Sequence, residues 1–211
     1  PGAERLVSMD LKKFTEETAG ESPAPGGGSV GAYVGALGAA LGTMVANLSA
    51  HKRGWDDKWD QYSEWAVIGE KHRNELLYLV DEDTRAFDRI LAAFGLPKGS
   101  DAEKAARAKA ITEATKGAIN TPLRTMEVCV ESMALMQAMA ETGLPASVSD
   151  AGVGAVCARA GAIAGYLNIL INCSGLNDAD FKTKVLAKAE ALRSEAEALE
   201  ADVMRVTLSK M

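Results

Sequence analysis

Gly28, Gly31, Gly35, Gly38 and Gly42 recur at steps of three, four, three and four, which aligns all five on one face of a helix. Each glycine inside a helix costs about 1 kcal/mol relative to alanine. So dense a stripe must be offset by the close approach of another backbone or a ligand. The helix that carries it, about Ser29 to Ala50, is therefore expected to be enclosed by the rest of the chain. The uncharged stretch from Ser22 to Ala50 is long enough to raise the question of a membrane span. Its Gly, Ala and Ser content, with few Leu or Ile, suits enclosure by protein better.

The remaining segments repeat at helical spacing too. Ser8 is expected to cap a short helix running to about Ala19, with Met9, Leu11 and Phe14 as its apolar contacts and Gly20 as its stop. A long helix from about Asp56 to Phe94 carries a seam of Tyr62, Ala66, Gly69, Arg73, Leu76, Val80, Phe87, Ile90 and Phe94. Asp101 is expected to cap a further helix towards Asn120, and Thr121-Pro122 to break or kink it, since proline lacks the amide donor. Leu123 to about Thr142 resumes with Met126, Val130, Met133 and Met136. A helix starting at Ser149 or Asp150 bears two stripes. One is apolar: Val153, Val156, Ala160, Ile163, Leu167 and Leu170. The other is small and then amide-bearing: Gly154, Ala158, Gly161, Gly165, Asn168 and Asn172. The last helix, about Ala179 to Lys210, packs Val185, Ala189, Leu192, Ala196, Leu199, Val203 and Val206. No stretch alternates as strands do. The expected fold is all-α, an antiparallel bundle of five to six long helices, with residues 1–211 forming one domain.

Asp83 stands in the middle of the apolar seam, so periodicity points a carboxylate at the core, while Asp81, Glu82 and Asp88 fall off the seam and are expected in water. Burial disfavours the charged form of an acid and lifts its pKa towards the range useful for proton transfer near neutrality. The same placement also fits a structural carboxylate satisfied by Arg73 or Arg159. Gly26, Gly27, Gly28 and Ser29 follow Ser22-Pro23-Ala24-Pro25 as a turn feeding a helix N-terminus. Lys52 and Arg53, after the glycine helix, fit solvated charges near a helix C-terminus. Asn168 and Asn172 fit amides that bridge neighbouring helices.

Other chemistries lack their residues. His51 and His72 occur without ligand spacing, and no metal is expected. No Gly-x-Ser-x-Gly elbow occurs, and the Gly26–Ser29 run lacks the lysine of a phosphate loop. A net charge of -6 with scattered basic residues argues against nucleic acid as a partner. Cys129, Cys157 and Cys173 lack paired spacing and sit in apolar stretches, as reduced, buried cysteines of a cytoplasmic protein do. The start, Pro1-Gly2-Ala3-Glu4-Arg5, shows no export signal.

Taken together, Ser22-Pro23-Ala24-Pro25-Gly26-Gly27-Gly28-Ser29-Val30, Val80-Asp81-Glu82-Asp83-Thr84-Arg85-Ala86-Phe87, Leu96-Pro97-Lys98, Ser149-Asp150 and Gly165-Tyr166-Leu167-Asn168-Ile169-Leu170-Ile171-Asn172 resemble the cyclodeaminase/cyclohydrolase family. This all-helical domain occurs at the C-terminal end of formiminotransferase-cyclodeaminases and as free-standing bacterial enzymes. The resemblance implies a folate substrate, with or without a polyglutamate tail, and a homodimer or higher homo-oligomer. Asp83, matching the second aspartate of the family's Asp-x-Asp motif, is implied as the catalytic acid/base, with no cofactor beyond the tetrahydrofolate substrate itself. Gly26, Gly27, Gly28 and Ser29 are then expected to hold a polar or anionic part of the folate. Lys52 and Arg53 are expected on its glutamate tail, and Asp150, Asn168 and Asn172 on the pterin or the intermediate. Fused mammalian proteins typically show Gly-Arg-Arg where this chain has His51-Lys52-Arg53. The expected reaction is cyclodeamination of 5-formiminotetrahydrofolate to 5,10-methenyltetrahydrofolate and ammonia. The alternatives are methenyltetrahydrofolate cyclohydrolase on the same scaffold, or a non-catalytic helical module. A free-standing enzyme with a separate formiminotransferase is expected, since no such domain precedes this one.

Overall fold

The computed structural model describes residues 5–211, so the expectation about the start of the chain at 1–4 lies outside the described residues. Among the described residues there are six α-helices and no strand. They are α1 (Leu11–Thr18), α2 (Gly27–Ala50), α3 (Trp59–Phe94), α4 (Asp101–Thr142), α5 (Val148–Ser174) and α6 (Ala179–Ser209). Helix α2 lies in the middle, packed against α3, α4 and α5, while α6 closes the bundle over α4 and α5.

The glycine stripe is what lets α2 sit there. A Cβ added at Gly38 would lie 2.6 Å from the Gly154 carbonyl oxygen, and one at Gly161 would lie 2.8 Å from the Gly31 carbonyl oxygen. The two small-residue stripes therefore face each other, and α2 and α5 touch backbone to backbone. Cys129, Leu76 and Leu135 fill the space over Gly35 and Gly42 from α3 and α4. By length and composition both Gly27–Ala50 and Pro145–Ser174 could cross a membrane; α2 is mostly covered by its neighbours instead.

Four local expectations change. Asp10, not Ser8, caps α1, its carboxylate accepting from the Lys13 amide at 2.8 Å, while Leu6–Ser8 forms a separate 3-10 turn. Leu11 is exposed, whereas Phe14 packs tilted against Tyr33 at 5.4 Å. Ser100, not Asp101, caps α4, in a reciprocal box with Glu103. A 3-10 turn, Pro145–Ser147, precedes α5, which starts at Val148.

The fourth change is at Pro122, which lies inside a continuous α4. Proline removes the donor that would serve the Ala118 carbonyl four residues earlier. Asn172 of α5 takes its place, donating Nδ2 to the Ala118 oxygen at 3.1 Å. A side-chain amide from the neighbouring helix thus repairs the break, and two expected helices become one.

Candidate active site

Asp83 comes to the N-terminus of α2. The first turn of a helix leaves amides without intrahelical partners, and Gly26, at the N-cap, has no side chain to serve them. Asp83 reaches across from α3 instead. Ser29 Oγ lies 3.1 Å from Asp83 Oδ2 and 2.9 Å from the Val80 carbonyl oxygen, and the Ser29 amide also bonds the carboxylate. Gly28 makes the approach possible: a Cβ there would stand 2.1 Å from Asp83 Oδ1. The glycine is required for contact with a side chain of the same molecule, as well as for helix packing.

Asp83 is half-buried on the seam as expected, and its pKa is raised above the ordinary aspartate value. Burial is the largest cause, opposed by the Ser29 hydroxyl and amide, which favour the anion. No cation is among the causes. Of the arginines that exemplify a structural partner, Arg73 pairs with Glu70 at 3.0 Å, and neither it nor Arg159 forms an ion pair with Asp83 among the described residues. Serine has one hydroxyl proton. Given to Asp83, that proton serves the anion; given to Val80, it leaves Ser29 Oγ as an acceptor for a protonated Asp83. The same three atoms accommodate both protonation states without rearrangement.

Two neighbours of Asp83 differ from the expectation that they are solvated. Asp81 is 5% exposed, accepting from the Leu6 amide at 2.8 Å and Arg5 Nε at 3.0 Å, because the N-terminal segment folds over α3. Glu82 is largely covered and pairs with Arg89 at 2.7 Å. Asp88 is exposed. The seam itself ends early: Phe94 is exposed, and His72 is buried more deeply than Arg73.

The remaining candidates divide between the two ends of the bundle. Gly27 is exposed beside Asn168, whose Nδ2 lies 3.4 Å from where a Gly27 Cβ would be, so Asn168 joins Gly26–Ser29 and Asp83 at one edge. Asn168 Nδ2 also donates to the Ala164 carbonyl at 2.8 Å. Asn172 lies one turn further along α5 and is occupied with Ala118. Lys52 and Arg53 follow the other end of α2, a helix of 24 residues and so roughly 36 Å long. Lys52 Nζ sits 4.2 Å from the Trp55 ring centroid, and Arg53 is exposed. Asp150, in the first turn of α5, is at that far end too. One subunit does not bring these three to Asp83. Thr84, not singled out in the sequence, has its Oγ1 3.4 Å from Ser29 Oγ and lines a crevice of about 440 Å³ with Pro23, Pro25, Phe87 and Leu91. Its adjacency to Asp83 was the available signal. Among the described residues no three His, Cys, Asp or Glu side chains form a metal-holding group.

With this geometry in place, comparison with known proteins is decisive. The sequence profile of the formiminotransferase-cyclodeaminase family matches residues 10–191. The chain belongs to that family. It is 38% identical to a methenyltetrahydrofolate cyclohydrolase of Methylorubrum extorquens, across 95% of this chain and 97% of that protein. It is 33% identical to the formimidoyltransferase-cyclodeaminase of Rattus norvegicus across 90% of this chain, but spans only 35% of the rat protein. The crystal structure of formiminotetrahydrofolate cyclodeaminase from Thermotoga maritima superposes with a TM-score of 0.83 at 28% identity, covering 95% of this chain and 96% of that one. Fold and folate-family membership agree with what the motifs implied.

Proposed function

We propose that this member of the family is a formimidoyltetrahydrofolate cyclodeaminase in which Asp83 carries the proton. N10 of 5-formiminotetrahydrofolate attacks the carbon of the formimino group, which enters protonated as an amidinium, and forms a cyclic tetrahedral intermediate bearing –NH2; N10 loses its proton, the –NH2 gains one, and its C–N bond breaks to release ammonia and leave the methenyl cation. Amide anion is too basic to depart, so an acid is needed at that nitrogen. Asp83 takes the N10 proton and returns one to the departing nitrogen, which balances the step without redox chemistry. The observation that carries this reading is a half-buried carboxylate with a raised pKa, bonded by Ser29, given room by Gly28, and with no cationic partner among the described residues. The α2 N-terminus and Asn168 lie at the exposed edge of the same site and are assigned to the folate.

Asp83→Asn removes the exchangeable proton while keeping the shape. Ammonia release should fall by about 10²–10⁴-fold, the usual worth of a positioned acid or base. Turnover by purified Asp83→Asn at the rate of the unmodified protein would sink the assignment.

A second reading is methenyltetrahydrofolate cyclohydrolase, favoured by the length-matched Methylorubrum relative. There water adds to the methenyl carbon, the same acid/base accepts its proton, and the ring opens to 10-formyltetrahydrofolate. Offering 5-formiminotetrahydrofolate and methenyltetrahydrofolate separately, while following ammonia and methenyl absorbance, separates the two. Turnover of neither would leave the non-catalytic module.

Homo-oligomerisation is part of the proposal. The apolar stripe of α5 faces solvent, with Val153 51% and Leu167 58% exposed, and Leu37, Met44 and Leu48 extend it onto the outer side of α2. A two-fold pairing across this face, with the helices antiparallel, would set Lys52, Arg53 and Asp150 of one copy near the Asp83 end of the other.

A further inference from the structure

Thr84 is out of step with most of the helical threonines. In a helix a threonine hydroxyl commonly donates to the carbonyl four residues earlier. Thr43, Thr115, Thr125 and Thr183 do so, at 2.7–3.3 Å. For Thr84 that acceptor is the Val80 carbonyl. A carbonyl has two lone pairs; inside α3 the amide of Thr84 takes one, and Ser29 Oγ, reaching across from α2, takes the other at 2.9 Å. Among the described residues the partner of Thr84 Oγ1 is instead Ser29 Oγ itself, at 3.4 Å.

Ser29 is 0% exposed, whereas Thr84 is half-buried and opens onto the crevice beside Pro23 and Pro25. A serine hydroxyl holds one proton and two lone pairs. Ser29 therefore donates either to Val80 or to Asp83 Oδ2, 3.1 Å away, and accepts from a hydroxyl that faces it. A bond donated by Thr84 polarises the Ser29 hydroxyl and makes it a better donor in turn. That favours the carboxylate over the carboxylic acid and opposes the effect of burial. A group that first takes a proton and then returns one needs both forms within reach.

No charge does this in place of the hydroxyls. Helix α2 carries no acidic or basic residue. Helix α5 carries Asp150, at the far end, and Arg159, which forms no ion pair with Asp83 among the described residues. On α3, Asp81 is held by Arg5, and Glu82 by Arg85 and Arg89. Arg124, the α4 cation that meets α3, is engaged by Glu75, Glu127 and Glu131. Asp88, with Lys13 and Glu17 of α1, lines the outer part of the crevice. None of these is among the causes that shift Asp83.

We propose that Thr84 and Ser29 are positioning residues for Asp83: Thr84 donates to Ser29 Oγ, Ser29 directs its one proton to Asp83 Oδ2, and the pair holds the carboxylate ready for the proton of N10. The inference rests on the acid/base role given to Asp83 above, and it assigns the Ser29 hydroxyl to the carboxylate and not to the folate.

The test joins the pH profile of kcat/KM to the titration of Asp83 itself, followed by carbon-13 NMR of carboxyl-labelled aspartate, with the resonance identified by its absence in Asp83→Asn. Ser29→Ala removes the donor to the anion, so the Asp83 limb of the profile and the titration midpoint should both rise by about one to two pH units. Thr84→Val keeps the shape without the hydroxyl and should raise both by about 0.3 unit, the share that cooperative polarisation adds to such a bond. Thr84→Ser should leave them in place. In the Ser29→Ala background Thr84→Val should add nothing, because Thr84 acts only through Ser29. An unmoved midpoint in either single variant, or a Thr84→Val shift that persists without Ser29, would overturn the proposal, as would a Ser29→Ala protein in which only KM changes. If no folate is turned over, the NMR midpoints still decide: shifts in Ser29→Ala and Thr84→Val keep the hydroxyl pair while the acid/base role falls, and unmoved midpoints remove the pair as well.

Discussion

At the scale of the residue, Asp83 and Gly28 are one unit. Gly28→Ala should favour the α2 helix by its propensity, about 1 kcal/mol, yet its Cβ would stand 2.1 Å from Asp83 Oδ1 and must push the carboxylate away. The expected result is a helical protein by circular dichroism with turnover reduced by about 100-fold, as a misplaced acid/base gives. The raised pKa of Asp83 also has a sign. Above the ordinary value of 3.8 the unfolded chain loses this proton first and the native state retains it, so the native state binds more protons. Stability from this group is full below 3.8 and is lost as pH rises through the higher native pKa. Asp83→Asn, always neutral, should therefore match or exceed the unmodified protein in Tm at pH 7 while losing activity; a clear drop in Tm would mean the carboxylate is structural. The seam showed that Asp83 faces inward, but not that its partner would be a serine. The burial of Asp81 was hidden because Leu6, some 75 residues away in sequence, supplies the amide that holds it.

At the scale of the element, helix starts and stops were legible wherever the signal is local. Glycine and proline marked the ends of α1, α3 and α4, and the caps moved by only one or two residues. Pro122 was different, because the rescue of α4 comes from another helix. Asn172→Leu should cost about 1–2 kcal/mol, since the Ala118 carbonyl is then left without a donor in a largely covered place. In a Pro122→Ala background, where the residue-122 amide serves that carbonyl, the same substitution should cost much less. Denaturant unfolding of the four proteins measures the coupling; strictly additive losses would show that Asn172 does not repair the proline break.

At the scale of the whole molecule, the outer face of α5 and α2 has no cover among the described residues. Leu167→Glu, at a residue 58% exposed, should leave the fold of the isolated subunit intact but reduce the molecular mass measured by light scattering to that of a monomer of 22.2 kDa. An unchanged mass would place any assembly elsewhere. If Lys52, Arg53 and Asp150 serve the site of a second copy, the same variant should also lose activity. By itself the sequence determined the helical class, the two small-residue stripes and the inward aspartate, because each follows from spacing along one helix. Only the tertiary structure decided that Asp83 caps α2 through Ser29, that Asn172 repairs Pro122, and that the candidates split between two ends. Those outcomes depend on which helices lie side by side and in which direction, and periodicity within a single helix carries no such information.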